Sequence, residues 1–196
     1  MHAQTASLPV TGEYYLEGVM ETASGFKLDS DHSFQFFFSY GALDRSGKGK
    51  WRQEKNIIIF DSPKHVSKDY TLLRSEKRNQ ESIMISITGG NEYLQKMVHA
   101  IVKPGNREEM ADADEKGIIT VKAIKADTII LIFEWCPEKR FVFTVPDTTH
   151  NYFQFRMEPS LFDVIFEDFR LQLNKDELTG PHPMDIKKIF HYKREH

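Results

Sequence analysis

The chain has 196 residues, 28% of them charged, with 26 Lys and Arg against 29 Asp and Glu and a formal net charge of -3. That length holds one large β domain or two small ones, and the well-mixed charges leave no basic footprint of the kind nucleic acid demands. A single cysteine, Cys136, excludes an intrachain disulfide, a thiolate metal cluster and a Cys-x-x-Cys redox pair, and apolar runs such as 129–133 fall far short of the roughly 20 residues of a membrane-spanning helix.

Aromatic residues make up 12% of the chain and 15 of them are Phe, which favours strands whose large side chains pack between sheets or inside a barrel. In chain order, His2-Ala3-Gln4 before the polar stretch 5–7 reads as the tail of an Ala-x-Ala type signal-peptidase site, with Met1 standing where the leader was removed. Residues 1–11 are therefore expected as a tail on a periplasmic or secreted protein. From Gly12, strands at 14–19 and 26–28 lead to the turn Asp29-Ser30-Asp31-His32. Along 33–40, Phe34, Phe36, Phe38 and Tyr40 take one face and Ser33, Gln35 and Ser39 the other.

Residues 41–49 read as a glycine-bearing turn, followed by strands at 50–52, 57–60, 70–73 and 82–88, with Gly89-Gly90 closing the section. Met97, His99 and Ile101 alternate in the next strand, which places His99 on the core side; strands at 118–124, 128–135 and 141–145 follow. The last section has strands at 152–157, 164–173 and 186–192 with a turn at 174–180. Phe162, Ile165, Phe166 and Phe169 fall at helical spacing within 161–169, which leaves a helix as the alternative there.

The order Gly12-x-Tyr14, Gly25-Phe26-x-Leu28, Phe34-x-Phe36, Gly49-x-Trp51, Asn56-x-Ile58 resembles the opening meander of lipocalin-like, or calycin, barrels. The resemblance covers about residues 12–62 and implies a cup for a small apolar ligand, with Tyr14, Phe36, Phe38, Tyr40 and Trp51 as its lining. Asp31-His32 stands where that pattern prefers Asp-Gly. Val102-x-x-Gly105 followed by Ala113-Asp114-Glu115-Lys116-Gly117-Ile118 is similar to carboxypeptidase regulatory-like, or transthyretin-like, β-sandwich modules, which implies a non-catalytic unit. As a whole the chain is similar to uncharacterised exported β-proteins of Gram-negative bacteria that join two such parts.

Catalytic signatures are missing: there is no Gly-x-Ser-x-Gly elbow, His-Glu-x-x-His, phosphate loop or dinucleotide fingerprint. Ser46-Gly47-Lys48-Gly49-Lys50 has no helix after it to cradle a phosphate and reads as a solvated hairpin. Asp112-Ala113-Asp114-Glu115-Lys116-Gly117 has the start of a calcium loop, but Lys116 and Ala123 stand where two ligands belong, so a polar turn is expected. His182 and Met184, between and beside Pro181 and Pro183, offer one imidazole and one thioether to copper or zinc, with His191 one strand away; a proline-stiffened turn is the plainer reading.

These observations predict an all-β protein: residues 12–90 with 151–194 as an antiparallel meander curled into a sheet or barrel, and residues 91–150 as a small β-sandwich unit. They favour a non-enzymatic exported binding protein, without cofactor, that recognises a small apolar ligand or a protein partner. The alternatives are metal handling through His182, Met184 and His191, and a hydrolase whose site is assembled only in the fold.

Overall fold

Alternation of large apolar and polar side chains, broken by short turns, gives the first five strands: β1 (Gly12–Leu16), β2 (Thr22–Leu28), β3 (Ser33–Tyr40), β4 (Leu43–Glu54) and β5 (Ile57–Asp61). The computed structural model describes residues 10–64, 68–123 and 125–195. The chain then builds a second unit from β6 (Tyr70–Glu76), β7 (Ile83–Thr88), a helical turn α1 (Glu92–Gln95), β8 (Val98–Lys103), β9 (Glu109–Asp112), β10 (Ile118–Val121), β11 (Thr128–Phe133), β12 (Arg140–Thr144) and β13 (Tyr152–Met157). After a 3-10 turn at Pro159–Phe162 it returns to the first unit as β14 (Phe169–Asn174), β15 (Glu177–His182) and β16 (Asp185–Arg194). The fold is all-β.

The first unit is a closed eight-stranded barrel in the order β1-β16-β15-β14-β5-β4-β3-β2, with every neighbouring pair antiparallel. Closure removes the free edges that an open meander would expose. Inward positions of β2 and β3 carry Phe26, Leu28, Phe34 and Phe36, and they meet Ile58, Phe60, Leu171, Leu178 and Tyr192 from the facing strands.

The loop before β14 also enters this core. The Val164 N–H donates to the Ser46 carbonyl at 2.7 Å, and the Phe166 N–H donates to Ser62 Oγ at 3.1 Å. Phe166 then packs among Phe26, Phe34, Phe36 and Phe60. Of the four apolar positions at helical spacing, Phe162 ends the 3-10 turn, Ile165 and Phe166 lie in the connection that follows, and Phe169 opens β14, so no helix forms there.

Residues 46–50 differ from the solvated hairpin expected of them, because they lie inside the twelve-residue strand β4. The glycines are there for space. A Cβ on Gly47 would stand 2.6 Å from the Phe166 ring and 2.8 Å from the Val164 carbonyl oxygen, and one on Gly49 would overlap the Asp61 carbonyl. The turn expected at 174–180 is likewise short: β15 begins at Glu177, since the left-handed Lys175 (φ 52) reverses the chain at once.

The second unit spans 68–161 and packs two four-stranded sheets, β10-β7-β13-β6 and β12-β11-β8-β9. Rings bridge the layers: Phe141 meets Tyr70 and Phe155, and Phe143 meets Phe153 and Phe155. Strands 70–88 and 152–157, expected in the first unit, belong here because β13 pairs antiparallel with β6 and parallel with β7. Parallel pairing joins strands far apart in sequence and leaves no hairpin signature to read.

Candidate functional site

Of the five residues expected to line a ligand cup, Tyr14, Phe36, Phe38 and Trp51 pack in or against the barrel core instead. Tyr14, Phe36 and Trp51 are buried core residues, Phe38 is half-buried and Tyr40 is exposed at the barrel end. Phe26, at the centre, has ring contacts with Phe36, Phe60, Phe166, Phe169 and Tyr192 at centroid separations of 4.8 to 6.4 Å. That spacing is dense aromatic packing. Tyr14 spends its hydroxyl on the Val10 carbonyl at 2.8 Å, and Trp51 donates its indole N–H to the Asp29 carbonyl at 3.1 Å while the His32 ring lies 4.5 Å from its own. The hollows that Phe36 does reach, about 330 and about 300 Å³, are open grooves, one beside Gln35, Lys48, Ser62 and Asp163 and the other beside Glu13, Tyr15, Phe26 and Lys27.

His182 closes β15 with its ring turned into the barrel, 3% exposed, among Phe36, Phe38, Phe190 and Tyr192. The Met184 backbone N–H donates to its Nδ1 at 3.0 Å. Nδ1 is therefore the acceptor, Nε2 carries the proton, and Nε2 donates to Ser24 Oγ at 3.1 Å. The Ser24 hydroxyl in turn donates to the Phe37 carbonyl at 2.9 Å. Burial pushes the imidazole pKa down to about 4 against the opposing pull of Asp185, so the ring is neutral at pH 7.

This arrangement bears on the two chemical alternatives. A serine nucleophile needs an imidazole nitrogen that accepts its proton, and here the nitrogen facing Ser24 is the donor. A metal needs a free lone pair on the imidazole, and the one on Nδ1 is taken by the Met184 amide. Met184 sulfur in turn accepts from the buried Arg45 at 3.0 Å, while His191 points outward and pairs with Glu177 at 2.8 Å. His182 and His191 thus lie on opposite faces of the barrel wall, and among the described residues no group of three or more His, Cys, Asp and Glu could hold a metal ion.

What the buried ring does is anchor the adjacent hairpin. Gly180 pairs with Phe190 and His182 with Asp185, so Pro181 alone opposes residues 186–189, which bulge out of the sheet. On that excursion Ile186 is 75% exposed and Ile189 is 73% exposed, with Lys187 and Lys188 between them. The β1–β2 turn lies alongside: the Glu17 N–H donates to the His191 carbonyl at 2.9 Å, and Glu17 pairs with Lys193 at 2.7 Å. That turn displays Met20, 88% exposed, and Val19. Neighbouring loops at one end of the barrel therefore share an apolar rim. The sequence signal for it was Ile186 and Ile189 flanking two lysines at a period that suits neither face of a strand.

The remaining marked residues have structural roles. Asp114 Oδ1 accepts from the Lys116 and Ile118 amides at 2.9 Å each, which is a polar turn and depresses its carboxyl pKa. His99 stands off the core, 2.6 Å from Asp112, because Val98, Ala100 and Val102 take the inward positions of β8; the expected alternation is out of phase by one residue. Cys136 is buried. The segment 2–4, read as a processing site, lies outside the described residues, and among the described residues no helix is long and apolar enough to cross a membrane. The chain matches no family model, no curated protein and no solved structure.

Proposed function

We propose that this chain is a non-enzymatic, exported binding protein that recognises a protein partner through the apolar rim of the barrel. The single observation that carries this reading is the exposure of Ile186 and Ile189 on an excursion whose base is held in the barrel interior by His182. Large apolar side chains kept in water on a fixed backbone cost little further ordering when a partner buries them. Val19 and Met20 widen the same patch.

A lipid bilayer suits this rim less well, since Glu17, Glu21 and Asp185 stand with the lysines and cancel the positive charge that draws a protein to anionic headgroups. The dense ring packing around Phe26 speaks against the small-ligand alternative. The Ser24–His182 pair supports the non-enzymatic part, its proton sitting on the wrong atom for a nucleophile.

A photo-crosslinking residue placed at Lys187 is expected to trap one protein in cells that express the chain from its native gene, and I186S/I189S is expected to abolish the adduct. The same adducts from the exposed control position Lys122, or none from either, would overturn the reading. Fractionation of those cells tests export, with recovery in the periplasm or medium expected; a cytosolic protein of full length would remove that part of the proposal.

A further inference from the structure

We propose that the outer edge of β12 in the second unit is a strand-addition surface on which a second copy of this chain pairs, antiparallel and symmetric about Val142. This goes beyond the partner site above and uses none of its residues.

β12 ends its sheet, with β11 on one side, and among the described residues no backbone hydrogen bond reaches its other side. Proteins normally blunt such edges with charge, proline, bulges or a covering segment. The other three edges of this unit are blunted. β9 carries Glu109 and Asp112, the latter held by His99. β10 is covered by the Ala113–Ile119 bridge and by the Asp114 N–H donating to Ile118. β6 carries Arg74 and Glu76 and a register shift against Gln154 and Phe155.

β12 has none of these devices along Phe141-Val142-Phe143-Thr144, residue types that favour strands, and Val142 is 59% exposed on its outer face. Its charge lies at one end, on Arg140. In antiparallel pairing centred on Val142, that residue meets its own copy, Phe141 meets Phe143 of the second copy, and Arg140 meets Thr144 of the second copy. The two guanidinium groups then sit at opposite ends of the ladder, so no like charges face each other. Phe141 and Phe143 are half-buried at the open margin of the sandwich, and the added strand covers the rest of both rings. A symmetric register of this kind is what an isologous two-fold contact requires. An unrelated extended peptide gains the same main-chain hydrogen bonds but no such match of sequence to itself.

The contact is five residues a side, well below the area of a standard stable interface, so the pairing is expected to be weak. Sedimentation equilibrium of the whole chain should show a mass that rises toward twice the monomer as loading increases roughly a hundredfold. V142K, which sets two ammonium groups opposite each other on the axis, should stay monomeric throughout with an unchanged circular dichroism spectrum. If V142K fails to fold, V142C decides: oxidation should join two copies through position 142, while M110C on the β9 edge should not crosslink at the same concentration. A chain that is monomeric at every loading, a dimer that V142K leaves intact, or equal crosslinking from both cysteines would each overturn the proposal.

Discussion

Nε2 of His182 and Oγ of Ser24 lie 3.1 Å apart inside the barrel, and the proton between them belongs to the imidazole. The Met184 amide has taken the other nitrogen, which leaves Nε2 as the donor. The pair therefore ties β15 to β2 and shapes the hairpin that displays Ile186 and Ile189. A buried neutral histidine also gives the fold a pH dependence of predictable sign.

Because the folded pKa of His182, about 4, lies below an unfolded value near 6.5, the unfolded chain binds the proton first as the pH falls. Stability from this group is complete above pH 6.5, declines between about 6.5 and 4, and falls no further below that. The full span is on the order of 3 kcal/mol, from 1.36 kcal/mol per pKa unit. Carboxylates with lowered values, Glu76 and Asp31 among them, contribute above their unfolded range and lose that contribution as the pH falls through it, a loss that wild type and H182Q share. Urea unfolding at pH 7, 5.5 and 4.5 should show the loss in wild type and a flatter profile in H182Q; parallel profiles would disprove the assignment.

Phe26 tests whether the barrel is solid. F26A removes a ring that touches five others and should cost about 3 to 5 kcal/mol. Wild type should give no saturable fluorescence change with an apolar probe such as N-phenyl-1-naphthylamine. Saturable binding by wild type that F36W or Y14F alters would restore a ligand cup.

Two tyrosines in the same core should respond in opposite directions. The Tyr14 hydroxyl donates to the Val10 carbonyl, so Y14F should lose about 1 kcal/mol. The Tyr192 hydroxyl is buried with no hydrogen-bond partner among the described residues, and burial alone drives its pKa up. Y192F should be neutral or more stable by about 1 kcal/mol. Chemical denaturation of the two variants measures both, and a loss in Y192F as large as that in Y14F would reveal a partner for the second hydroxyl.

G47A should destabilise by about 1 to 3 kcal/mol, as overpacking does, because its methyl meets the Phe166 ring and the Val164 carbonyl. Paired with F166L, which draws atoms back from the strand, the same change should cost less. A melting temperature for G47A within a degree of wild type would mean that the loop before β14 does not cross β4 where the contacts place it.

The sequence by itself determined that this chain is built of strands and, over 33–38, which side chains point inward, although Tyr40, expected on the same face, is exposed. Both follow from alternation and turn chemistry within a few residues. Tertiary structure decided the rest. Strands 70–88 left the first unit because β13, more than sixty residues downstream, lies between β6 and β7, and no local pattern encodes such a partner. Gly47 and Gly49, which look like turn glycines, became the floor for Phe166 and Asp61 only once two distant segments crossed. His182 changed most: its neighbours in the chain offer a metal a ligand pair, whereas its neighbours in space, Ser24 and the Met184 amide, use both ring nitrogens. Which atoms a polar group meets depends on long-range packing, and that is the information a single sequence carries least openly.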